Sequence, residues 1–239
     1  MSVFVIGDIH LSLSCDKSMD IFGEQWENYT NRLKKNWNDC VCPDDSVVIA
    51  GDISWGMTLE QSLEDFSFIN NLNGKKYIVK GNHDYWWTTI KKMEEWTNTH
   101  RFNTINFIHN NAYLCEDIMI CGSRGWFVDN NGELTDNAEF NQKILNREVG
   151  RLALSIAEAK KIKGRHTDCN ICAFIHYPPI YGGYICNEIM ELLIKEQIEL
   201  CYYGHIHNAV EGKLIKSYKN ITFKLVSADY LIFKPMKIN

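Results

Sequence analysis

Five apolar runs of strand length each lead into a residue able to ligate a metal, and that repetition constrains the fold more than any other feature of the chain. Val3-Phe4-Val5-Ile6-Gly7 delivers Asp8 and His10, Val47-Val48-Ile49-Ala50-Gly51 delivers Asp52, and Tyr77-Ile78-Val79 leads into Gly81-Asn82-His83-Asp84. Leu200-Cys201-Tyr202-Tyr203-Gly204 delivers His205 and His207, whereas Ile171-Cys172-Ala173-Phe174-Ile175 ends directly in His176. A short continuous apolar run bounded by turn residues reads as a strand buried on both faces. Glycine before a donor lets the backbone turn sharply and come close to a ligand. Any one of these glycines suits an ordinary strand-end turn. Followed at once by Asp, Asp, Asn and His, the four point to strand ends that converge.

Helical patterns separate the runs. They are read from about Glu24 to Asp39 with Trp26, Leu33 and Trp37 on one stripe, from Leu59 to Leu72, and from Tyr85 to Trp96. Two more follow, one from Phe140 to near Gly164 and one from Asn187 to Gln197. Thr104 to Gly122 reads as antiparallel strands turning at Asn110-Asn111 and Glu116-Asp117, then a polar loop runs to Asn137. Val210 to Ser217 and Asn220 to Ala228 read as further strands. Alternating strands and helices imply an α/β fold with a largely parallel sheet, and the middle and final strands supply a second sheet. Ligands of such sheets bind beyond the carboxyl ends of the strands, where the donors fall. With no linker-like stretch in 239 residues, the chain is expected to form one domain, residues 1–239.

A net charge of -5 without a Lys/Arg stripe disfavours a protein that holds long nucleic acid. No run reaches the length of a membrane span, and the N-terminal strand does not read as a signal peptide. Nine cysteines, several inside apolar runs, suit a reducing cytoplasm. Cys40-Val-Cys42 and Cys169-Asn-Ile-Cys172 read as structural, because no second pair stands at zinc-ribbon spacing.

Of eight histidines, His10, His83, His176, His205 and His207 lie at the strand ends; His100, His109 and His166 are read as surface or packing residues. Carboxylate, amide and imidazole donors together suit first-row metals such as Mn, Fe, Co, Ni or Zn, and they exceed one tetrahedral site, so two ions are expected. Such a pair suits phosphoester hydrolysis.

Asp8-Ile-His10, Gly51-Asp52, Gly81-Asn82-His83-Asp84, His176 and Gly204-His205-Ile-His207 resemble the ordered motif blocks of the calcineurin-like metallophosphoesterases. The resemblance implies two packed mixed β-sheets flanked by helices in a four-layer αββα sandwich. By similarity Asp8, His10 and His207 would hold one metal, Asp52 would bridge, and Asn82, His176 and His205 would hold the other. It further implies in-line attack of a metal-bridging hydroxide on a small phosphomonoester or phosphodiester. His83 would assist the leaving oxygen, with Asp84 orienting it. The alternatives are a catalytically silent interaction module of the same fold and a nuclease. Arg124 is a candidate phosphate clamp, weighed against a surface ion pair. Trp55, Trp86, Trp87 and Trp126 could form a base-stacking rim, although packing against the sandwich is the favoured reading.

Overall fold

A computed structural model describes residues 1–15, 17, 19–127, 138–164 and 168–238. The first half of the chain alternates strand and helix: β1 (Val3–Ile6), α1 (Tyr29–Cys40), β2 (Ser46–Ile49), α2 (Leu63–Asn70), β3 (Lys75–Val79), α3 (Ile90–Thr99) and β4 (Ile105–Ile108). The second half comprises β5 (Ala112–Cys115), β6 (Ile118–Ser123), α4 (Ala138–Lys163), β7 (Asn170–Ile175), the short β8 (Ile180–Tyr181) and β9 (Tyr184–Ile185), and α5 (Asn187–Lys195). It ends with β10 (Leu200–Tyr203), β11 (Ser217–Tyr218), β12 (Ile221–Leu225) and β13 (Met236–Lys237).

These strands make two mixed sheets, ordered β13-β1-β2-β3-β4 and β11-β12-β10-β7-β6-β5, beside a small β8-β9 hairpin. β1 to β4 run parallel, as do β6, β7, β10 and β12; β13, β11 and β5 close the edges antiparallel. Alternate residues of each strand face opposite ways, so Phe4, Val47 and Ile78 pack toward α1, α2 and α3, while Val5, Val48 and Val79 meet Ile120, Phe174 and Tyr202 of the other sheet. The outer face of the second sheet is covered by α4 and α5 through Cys121, Ala173, Leu152, Ile156 and Leu193. The architecture is therefore the expected αββα sandwich, with both sheets buried on both faces.

Several element limits differ from the sequence reading. The first helical pattern is a 3-10 turn over Glu24–Trp26, then Asn28 at φ 49°, then α1. α2 occupies only the middle of its expected range. α3 begins at Ile90 with the Thr89 hydroxyl accepting from Lys92 N, so Tyr85, Trp86 and Trp87 precede the helix. α4 continues through Gly150. The strands on either side of Asn110-Asn111 are not a hairpin: β4 lies parallel to β3, and the chain crosses there to the other sheet. The Asn111 side chain enforces the crossing, accepting from His109 N and donating to Phe107 O. Val210–Ser217 is largely a 3-10 turn at Glu211–Lys213, with only Ser217 reaching a strand. The expected polar loop lies mostly outside the described residues, as does His166. His100 packs on Trp96 and Phe102, and His109 lies beside Trp87.

Candidate metal centre

The C-terminal ends of β1, β2, β3, β7 and β10 meet at one end of the seam between the sheets. Backbone bonds tie the outgoing loops together: Asp8 N donates to Gly51 O, His10 N to Asp52 O, and Gly204 N to His176 O. Asp8, His10, Asp52 and His205 all have positive φ, at 54°, 45°, 53° and 71°. Left-handed backbone is uncommon outside glycine and gathers where surrounding structure imposes it. Two glycines are required by close approach. A Cβ on Gly81 would strike the Asp52 carboxylate, and one on Gly204 would strike that of Asp8.

Asp8, His10 and His207 bring ligand atoms within 4.8 Å of one another, and so do Asp8, Asp52 and His176. Asp52 Oδ2 lies between the groups, 3.7 Å from His10 Nε2 and 3.5 Å from His176 Nε2. Its other oxygen accepts from His83 N at 2.8 Å. Asn82 Oδ1 stands 2.6 Å from His176 Nε2 and 3.0 Å from His205 Nδ1, which brings both into the cluster. His176 Nδ1 must donate to the Ala50 carbonyl at 3.0 Å, so in the neutral ring Nε2 turns a lone pair toward the Asn82 oxygen. A cation shared by the two relieves that opposition. Asp8, Asp52 and His176 are all buried, and His10 Nδ1 has no partner among the described residues. Buried acidic and imidazole donors facing one another with few internal protons are the chemistry expected of a metal site.

Electrostatics divide the histidines. Burial lowers the pKa of His176 to about 3 and of His205 to about 2, and it holds His10 well below the ordinary value. Burial also opposes charging His207, but the Asp229 carboxylate, 3.0 Å from Nδ1, outweighs it and lifts the pKa to about 9. Burial raises Asp8 and Asp52 above the carboxylate range.

Asp229 was absent from the sequence reading. It lies four residues beyond the end of β12, so the rule that found Asp8 also points to it, although no glycine marks it. It accepts from His207 and from Asn208 N, the carboxylate–histidine arrangement that orients metal ligands.

His83 lies beside the cluster, its ring centroid 4.5 Å from Trp55 and 5.7 Å from His10, with Tyr85 Oη 3.4 Å from Nδ1. Asp84 does not orient that ring. Its carboxylate accepts from Asp52 N, Ile53 N, Gly81 N and Trp86 Nε1, at 3.0, 2.8, 2.7 and 3.1 Å. Asp84 thus clamps the β2 and β3 loops together and acts on His83 only through the backbone. Arg124 is near enough for its charge to act on His176, and its guanidinium is turned toward Glu148 of α4 at 3.4 Å.

The tryptophans divide likewise. Trp86 and Trp87 pack in the helix-covered core against Phe66 and Phe107. Trp55 stacks on His10 at 4.9 Å, and Trp126 meets Tyr177 edge-on. No described helix is long and apolar enough to cross a membrane.

Known proteins share this fold. An Aquifex aeolicus protein of unknown function, AQ665, superposes with a TM-score of 0.52 at 16% identity, over 99% of this chain and 95% of that one. The phosphopantetheinyl hydrolase PptH of Mycobacterium tuberculosis gives 0.51 at 12% identity, over 99% and 95%, and TT1561 of Thermus thermophilus gives 0.52 at 11%, over 99% and 97%. At such identities these similarities speak for the fold alone. In sequence, the Gene 66 protein of Mycobacterium phage L5 is 32% identical over 77 residues, which span 32% of this chain and only 37% of that protein. The profile of the calcineurin-like phosphoesterases matches residues 1–209, which include every donor described except Asp229, and the chain belongs to that family.

Proposed function

We propose that the protein is a metal-dependent phosphoesterase working with two ions, on phosphomonoesters or phosphodiesters. The observation that carries this reading is the position of Asp52 Oδ2 between His10 and His176, which makes two donor groups share one carboxylate. Asp8, His10 and His207 would hold one ion, Asn82, His176 and His205 the other, and Asp52 both. Bound there, first-row metals such as Mn, Fe, Zn, Co or Ni would activate water and neutralise phosphoryl charge.

The remaining work falls to the chain. Asp229 keeps the His207 ring turned with Nδ1 outward, so Nε2 faces the cluster. The Ala50 carbonyl does the same for His176. Asp84 fixes the loop that presents His83, whose backbone N–H is anchored on Asp52 and whose ring leans on Trp55. Burial lowers the pKa of His83, so at neutral pH the neutral ring holds its N–H and stabilises the charge that develops on the leaving oxygen by donating a hydrogen bond to it. A silent interaction module of the same fold is disfavoured, because no donor and no counterpart of His83 has been lost. A nuclease would need a basic groove for a strand, and the acidic balance disfavours it.

Chelator-stripped protein reloaded with Mn should hydrolyse p-nitrophenyl phosphate or bis(p-nitrophenyl) phosphate, and the preferred ester distinguishes monoester from diester chemistry. The variant His83→Ala should lose roughly 10²–10⁴-fold in turnover with its Mn content unchanged. Bound Mn without turnover on either ester would overturn the hydrolase reading.

A further inference from the structure

A second polar cluster lies farther along the seam. β3 carries Asn82, β4 and β6 lie beside donor strands, and at the ends of these three Lys80, His109, Asn110, Ser123 and Arg124 meet Glu148 and Arg151 of α4 around one small cavity. Lys80 immediately precedes Gly81-Asn82. The Arg124 carbonyl accepts from Tyr177 N, next to His176, so both elements run straight into the metal cluster.

The charges of this cluster do not balance. Glu148, 1% exposed, places one oxygen 2.7 Å from Arg151 and 3.4 Å from Arg124. Lys80 is half-buried, and among the described residues its ammonium has no hydrogen-bond or ion-pair partner. Asp84 is near enough to act on Lys80 electrostatically but is already bonded to four N–H donors. Glu148 already serves Arg124, Arg151 and, at 3.8 Å, the more exposed Arg147, and the negative charges that act on Lys80 are those of Asp84 and Glu148, neither within ion-pair distance. Among the described residues, Arg124 Nε is a buried donor without a partner; the unpartnered Glu148 Oε2 and Asn110 Oδ1 of the same cavity are acceptors, so the free donors are those of Arg124 and Lys80.

Buried charge without a counter-ion is costly, and guanidinium with ammonium at a cleft mouth is the usual recognition chemistry for phosphate or carboxylate. We propose that Lys80, Arg124 and Arg151 form an anion subsite, so that the substrate carries a second phosphoryl group beside the one that is cleaved. The cavity itself has a volume of about 10 Å³, room for about one water. The second group therefore docks outside it, against the partly exposed Lys80 and Arg151. Glu148 is the positioning residue, its one oxygen pairing with both Arg124 and Arg151. This substrate class rests on the phosphoesterase reading given above.

Alkane-α,ω-diol bisphosphates of increasing chain length, compared with the monophosphates of the same chains, measure the spacing directly. Binding to Mn-loaded protein is read by calorimetry, which needs no turnover. One chain length should bind about tenfold tighter than its monophosphate, the scale of a single charge-assisted contact. That advantage should shrink toward unity in Lys80→Gln and Arg151→Gln, each checked for native Mn content. If no bisphosphate outbinds its monophosphate in the wild-type protein, the subsite is overturned while the hydrolase reading stands. If Mn-loaded protein turns over neither nitrophenyl ester yet the bisphosphate advantage holds, the hydrolase reading fails and the subsite survives as a binding site.

Discussion

The two sides of the metal cluster are built differently. His176 is fully buried, neutral, and locked by a backbone carbonyl, and His205 beside it is also held neutral by burial. His207 is 31% exposed and is kept protonated by Asp229 in the metal-free protein. A metal needs the imidazole lone pair. The His176 side therefore has its histidines ready at neutral pH, whereas the His207 side must first release a proton. The same carboxylate that orients His207 also sets that cost, so the fold prepares one position by burial and the other by a charged partner.

Asp52 is where the two sides meet, and its loss should have the largest effect. Asp52→Asn keeps the shape but removes the charge facing both His10 and His176. Bound Mn should fall from about two per chain toward zero, with turnover at background. Retention of one full equivalent would show that the sides fill independently. Asp229→Asn should act on one side only, weakening the His207 position about 10- to 100-fold while the His176 position fills as before. Calorimetric titration with Mn separates the steps. Equal weakening of both would merge the two sides into one cooperative site.

The candidate donors could be picked out of the sequence because each follows one of five strands within a few residues. The parallel sheet and the presence of a second one followed from the same runs, and the four-layer packing from the family resemblance. What escaped depends on partners far along the chain. Asp229 pairs with a histidine 22 residues earlier, and Arg124 finds Glu148 on a helix 24 residues later. Packing, the favoured reading of the tryptophans, holds for Trp86, bonded to Asp84, and for Trp87, whereas Trp55 stacks on His10 beside the cluster. Helical propensity at Tyr85 to Trp87 gave way to the bond between Trp86 and Asp84, and the apparent hairpin at Asn110 gave way to the pull of the first sheet on β4.

The smallest expected effect tests the charged side through stability. His207 has a folded pKa of about 9 against roughly 6.5 in an unfolded chain. A base whose pKa rises on folding stabilises the native state fully below the unfolded value and loses that contribution as pH climbs through the folded one. Asp8 and Asp52, raised by burial, contribute with the same sign over a range that begins lower, near the ordinary carboxylate pKa. Lys76 opposes them: burial lowers its pKa to about 7, so its contribution rises between there and roughly 10.5. In chelator the melting temperature should therefore fall between pH 6.5 and 9, by about 2–4 °C for each kcal/mol lost in a domain of this size. With Mn bound, protons no longer compete at the cluster and that decline should flatten. Asp229→Asn should lessen it without metal, because His207 then loses the partner that raises its pKa while Asp8, raised to about 8, still contributes. A decline undiminished in Asp229→Asn would assign the effect to the buried carboxylates and place the asymmetry between the two sides elsewhere than at His207.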